Sequence, residues 1–175
     1  MSDATGIKVF GDSTLFAFEC IHEPIPNEHG HVYGRMCIRS SNQVLGDFEE
    51  PACMLNVTAA HLEKVLRRLP ELKTDMFSGQ DDITVWERID KALYLDDDRS
   101  IEEVVADANL FSKFDFLTNG GESFDISKSF IIRDADCVQI LFIQEGAGFS
   151  VMNIHIDLFT DAVTAFLDWI NAGGK

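Results

Sequence analysis

Cationic side chains are what this 175-residue sequence most lacks: Lys and Arg number 14 against 30 Asp and Glu, leaving a net charge of −16 and a pI near 4.5. Direct binding to nucleic acid or to an anionic membrane surface is disfavoured, because phosphate contacts need a cationic face that so few bases cannot easily assemble. No uninterrupted apolar run approaches the roughly 20 residues that span a bilayer. The opening MSDATGIKVF has neither the basic nor the apolar region of a signal peptide, so the expectation is a cytoplasmic protein. Cysteine is sparse too. Cys20, Cys37, Cys53 and Cys137 stand far apart in apolar surroundings without a CxxC pair, the pattern of reduced, buried thiols.

The usual catalytic signatures are also missing. There is no GxSxG and no Cys in a motif that predicts a nearby His, so nothing announces an activated nucleophile. Gly120-Gly121 and Gly146-Ala147-Gly148 lack the following Lys and helix start of a phosphate-binding loop and read as turns. No repeat, low-complexity stretch or long linker divides the chain, and one domain over residues 1–175 is expected, with no cofactor indicated.

What is present is an ordinary apolar content weighted towards phenylalanine, 14 Phe against two Trp and two Tyr, which predicts a Phe-rich core. A chain of this length can bury about 70% of its unfolded surface. LFAFECIHEP (15–24) places Phe16, Phe18 and Cys20 on one face and Ala17, Glu19 and Ile21 on the other, the period of two of a half-buried strand. HVYGRMCIRS (31–40) alternates likewise, and the pair reads as a hairpin interrupted by Pro24 and Pro26. A short strand is expected at 54–57, then a helix capped by Thr58 and ended by Pro70. A second helix should run from about Asp82 to Leu95. A third should start at the Ser100–Glu103 capping box and bury Ile101, Val104, Val105 and Ala108. Strand patterns return at 124–134, 137–145 and 149–159 with short connections, a meander, before a last helix from about Thr160. The sum is an α+β fold: an antiparallel sheet taking strands from both ends of the chain, helices packed on it, and a helical insertion in the middle.

Candidate chemistry is thin. CIHEPIPNEHGH (20–31) gathers one thiol and three imidazoles. Cys20 and His22 nevertheless continue the inward face of one strand, while His31 shares the outward face of the next, so one ion at 2.0–2.3 Å from its ligands could hardly reach both. His29 and His31 remain as a weak surface pair on which a metal-assisted hydrolase could be imagined. His155 and Asp157 share one side of the expected last strand, a spacing open to acid–base work or to a simple exposed pair. The run Asp96-Asp97-Asp98, then Glu102, Glu103 and Asp107, is the densest carboxylate cluster, but its spacing is not that of a calcium-binding loop. It reads as a solvated helix start or as a protein-binding patch.

Four pieces in order, Phe10-Gly11-Asp12 with Leu15-Phe16-Ala17-Phe18-Glu19, Tyr33-Gly34-Arg35, Gly46-Asp47-Phe48 and Gly121-Glu122-Ser123-Phe124-Asp125, resemble the immunity protein 42 family of bacterial polymorphic and contact-dependent growth inhibition toxin systems. The resemblance implies a non-enzymatic cytosolic inhibitor of a cognate C-terminal toxin domain, in many such systems a nuclease. A nuclease exposes a cationic groove, for which an acidic protein is the natural complement. The resemblance carries over no catalytic residue and does not locate the interface. Charge alone nominates Asp81, Asp82, Asp96, Asp97, Asp98, Glu102, Glu103 and Asp107 as toxin-facing. An alternative of another class is a peptide-binding adaptor that uses an exposed sheet edge.

Overall fold

The computed structural model describes residues 6–26, 28–95 and 97–174. The first alternating segments form two antiparallel strands, β1 (Lys8–Asp12) and β2 (Phe16–Glu23), followed by β3 (Tyr33–Ser40), which pairs with β2. The register sets Phe18 opposite Ile38 and Cys20 opposite Met36, and all four are fully buried. The opposite face carries the charges. Arg39 donates to Glu19 at 2.5 Å and Arg35 to Glu23 at 2.8 Å across the same two strands. Such partly exposed pairs add at most about 1 kcal/mol each, so the buried face holds the hairpin together. Two short strands, β4 (Gln43–Leu45) and β5 (Cys53–Met54), complete a five-stranded sheet on β3. The expected strand at 54–57 is thus cut to its first residue by the helix that follows.

The meander forms as its pattern predicts, with β6 (Ser127–Asp134), β7 (Cys137–Gln144) and β8 (Phe149–His155) antiparallel in order. The α+β class holds, with strands from both ends of the chain. They hydrogen-bond as two sheets where a single one was expected. The extended backbone of β4 ends at Gly46, where φ is +100°. Any side chain there would meet the Phe124 ring at 2.9 Å. Here the turn after β4 meets the second half of the chain, through Gly46 N–H to Gln144 Oε1 of β7 (2.9 Å) and Asp47 N–H to the Ser123 carbonyl in the turn before β6 (2.6 Å).

Helices then join the sheets. The first, α1 (Leu55–Arg68), starts before Thr58, and the expected cap is instead buried inside it. Its hydroxyl donates to the Gly120 carbonyl at 2.6 Å, so tertiary bonding replaced the local cap. The next two, α2 (Asp82–Tyr94) and α3 (Ile101–Phe111), form the middle insertion. The last, α4 (Ile156–Asn171), takes over residues expected to extend β8, because Phe159, Val163 and Phe166, with the half-buried Ile156 before them, follow the 3.6-residue period of a longer apolar stripe. It packs on β1 and β2 and also on β7 and β8. Phe166 lies 5.7 Å from both Phe10 and Phe18, ring centre to ring centre, and Phe159 lies 5.6 Å from Phe16 and 6.3 Å from Phe116. The phenylalanines therefore make one continuous core across both sheets.

Phe159→Ala should cost about 3–5 kcal/mol in chemical unfolding, the range for removing a buried aromatic ring. A loss under about 1 kcal/mol would show that this ring does not join the two halves.

Candidate functional site

The acidic insertion is organised by one cation. Arg99, in the turn between α2 and α3, donates through Nε to Asp97 (2.6 Å) and through Nη1 to Asp107 (2.6 Å). The same guanidinium reaches the carbonyls of Lys91 (3.1 Å), Ala92 (3.3 Å) and Leu95 (2.9 Å). Those carbonyls end α2, where helical oxygens lack partners and carry partial negative charge, and the planar fork of arginine can serve several at once. The hydrogen bond from Arg99 holds the Asp97 carboxyl below the usual range, and the same bond raises Arg99.

Around this centre the nominated carboxylates divide. Asp97 and Asp107 are engaged by Arg99. Glu103 closes the capping box by accepting from the Ser100 N–H at 2.8 Å, and that backbone bond lowers its pKa. Asp81 caps α2 at the Thr84 N–H (2.9 Å) and is lowered by the Thr84 hydroxyl and N–H. Asp82, Asp98 and Glu102 make no side-chain hydrogen bond or ion pair among the described residues. Asp96 lies outside the described residues. The turn and α3 thus bring Asp97, Asp98, Glu102, Glu103 and Asp107 together, while Asp81 and Asp82 sit at the far end of α2, roughly 18 Å away at 1.5 Å per residue.

The main departure from expectation is on α3. Ile101, Val104 and Val105, read as core, are 79%, 43% and 51% exposed, and Ala108 is only half-buried. Phe111 is the residue of this helix that enters the core. Asp107 and Phe111, four apart, form the stripe held against α2, whereas Ile101, Val104 and Val105 stand open to solvent with the half-buried Ala108 beside them. Helical period alone cannot separate a stripe that meets the core from one that meets another protein.

The other candidates assemble less. The His29 and His31 rings stand 6.0 Å apart, and His31 stacks edgewise near Tyr33 at 5.9 Å. Among the described residues no three His, Cys, Asp or Glu side chains gather as a metal-holding group. His155 and Asp157 do not share a strand face: His155 caps α4, accepting from the Asp157 N–H at 3.3 Å, and both side chains are exposed. The four thiols are free, three of them buried and Cys137 half-buried. Burial pushes Cys20 and Cys53 up and Cys37 to about 12, against thiolate chemistry. A cleft of about 340 Å³ between α2 and α3 includes Arg88, Lys91, Arg99 and Asp107. No described helix is long and apolar enough to cross a membrane.

Comparison with known proteins bears on what such a surface serves. The model of a family described as immunity protein 42 matches residues 7–169. The crystal structure of CdiI from Burkholderia dolosa AUO158 shares the fold with a TM-score of 0.52 at 11% identity, over 94% of this chain and 99% of that one. No curated protein matches the sequence.

Arg99→Ala should release α3, so that its amides exchange faster while those of β6 and β7 are unchanged; equal protection in both proteins would remove Arg99 as the organiser. The depressed carboxyls fix the sign of the pH dependence. Asp97 and Glu103 stabilise α3 fully above their unfolded values of 3.8 and 4.5, and lose that contribution as the pH falls through their lower folded values. Exchange from α3 should therefore rise in acid before exchange from the meander.

Proposed function

The chain belongs to the immunity protein 42 family, and from that premise we propose that it neutralises a cognate C-terminal toxin domain in the cytoplasm as a stoichiometric inhibitor, not a catalyst. The observation that carries this reading is the extent of the family match, nearly the whole domain. The name of the Burkholderia neighbour is consistent with it, although at 11% identity the likeness is one of fold.

The finer reading is electrostatic. The toxin is a basic protein, a nuclease whose cationic groove this chain occupies, keeping nucleic acid out by steric and electrostatic occlusion. A net charge of −16 favours such a partner in two ways. It draws a cationic surface into encounter, a steering effect of about 10- to 1,000-fold at low salt, and it disfavours competition for the nucleic acid itself. The inhibitor needs rigidity more than chemistry, and a continuous aromatic core across both sheets supports that role.

Co-expression with the toxin domain encoded immediately upstream should restore growth, and the two chains should purify together. In a nuclease assay, inhibition should rise in proportion to added protein and be complete near equimolarity. Persistent toxicity without co-purification would reject the assignment; full inhibition by a small fraction of an equivalent would indicate turnover instead of occlusion.

A further inference from the structure

Resting on the inhibitor reading, we propose that the outward face of α3 is the apolar centre of the toxin contact, and that it takes a partner surface whose apolar patch is ringed by Lys and Arg. Elsewhere the exposed large apolar side chains are dispersed, Val9, Leu15, Ile25 and Leu158 singly and Ile83, Tyr94 and Leu95 divided between the two ends of α2, which is normal for a soluble protein. Four fall on α3: Ile101, Val104, Val105 and Leu110. Of these, Ile101 and Val105 share one stripe with Ala108.

The stripe cannot roll into the core. Asp107 is held by Arg99 at 2.6 Å and Phe111 is buried against Phe114, so these two residues set the rotation of the helix. An outward apolar stripe on a pinned helix has the anatomy of an interface, with an apolar centre and a polar rim. The rim here is acidic: Glu102 follows Ile101, and Asp98 lies in the turn two residues before the capping Ser100, with Arg99 between them turned to Asp97 and Asp107. Neither Asp98 nor Glu102 has a partner among the described residues, so both are available to cations.

The sign of that rim selects the occupant. A second copy of this chain would set carboxylate rims against each other between two bodies of charge −16, and like-charge juxtaposition works against such pairing. A basic toxin domain meets the same rim with opposite charge. The apolar centre then governs how slowly the complex separates, and the rim how fast it forms.

Alanine separates docking from folding, because it is a better helix former than Ile or Val, and both sites are largely exposed. Ile101→Ala with Val105→Ala should leave the unfolding midpoint unchanged or raised while weakening affinity for the upstream-encoded toxin domain at least tenfold, mainly through faster dissociation. Asp98→Asn with Glu102→Gln should slow association at low salt with little change in dissociation. If the wild-type protein binds and the alanine variant binds within twofold of it, the α3 proposal falls while the inhibitor reading stands. If the wild-type protein does not bind the toxin domain, both fall. A wild-type dimer in sedimentation that the alanine variant cannot form would assign the face to a second copy and overturn the proposal.

Discussion

One guanidinium decides what the middle of this protein presents to its surroundings. Arg99 draws Asp97 and Asp107 together at 2.6 Å each and covers three carbonyls at the end of α2. Without a cation there, two carboxylates and a helix C-terminus would face one another, all of negative sign. With it, α3 is attached by its Asp107 and Phe111 side, and Ile101, Val104 and Val105 are left exposed.

The surplus of negative charge consequently has two roles. Asp81 and Glu103 serve helix starts, and Asp97 and Asp107 serve Arg99, so these carboxylates are bound up in maintaining local structure. Asp98 and Glu102 are not used in this way; Asp98 lies in the turn before α3 and Glu102 is next to Ile101 on it. A long-range field from the whole chain and a short-range rim around one helix act in the same direction, which suits an inhibitor that must find its toxin quickly and then hold it. In the core, α4 packs on both sheets, with Phe159 and Phe166 against Phe16 and Phe18 of the first.

Much of the fold was legible in the sequence where neighbours along the chain determine the outcome. The alternation of Phe16, Phe18 and Cys20, the meander with its short turns, the span of α2 and the capping box at Ser100 all rest on local patterns, and all are present. The failures have long-range causes. Thr58 has the chemistry of a cap but bonds Gly120, 62 positions away. The two sheets meet at a corner where Gly46 bonds Gln144, 98 positions on. The end of β8 was misplaced because Ile156 to Phe159 satisfy both periods, and the buried stripe of α4 prevailed. The carboxylate cluster was visible as composition, whereas the solvent-facing stripe beside it was hidden, because its spacing is that of an ordinary core helix.

Hydrogen exchange on the complex with the upstream-encoded toxin domain would test most directly whether the protein works as an acidic plug docked through this helix. The account predicts new protection concentrated in the turn and α3, residues 97–111, with the amides around His29 and His31 unchanged. A stable complex in which α3 exchanges as it does in the free protein, while protection gathers on another face, would contradict it.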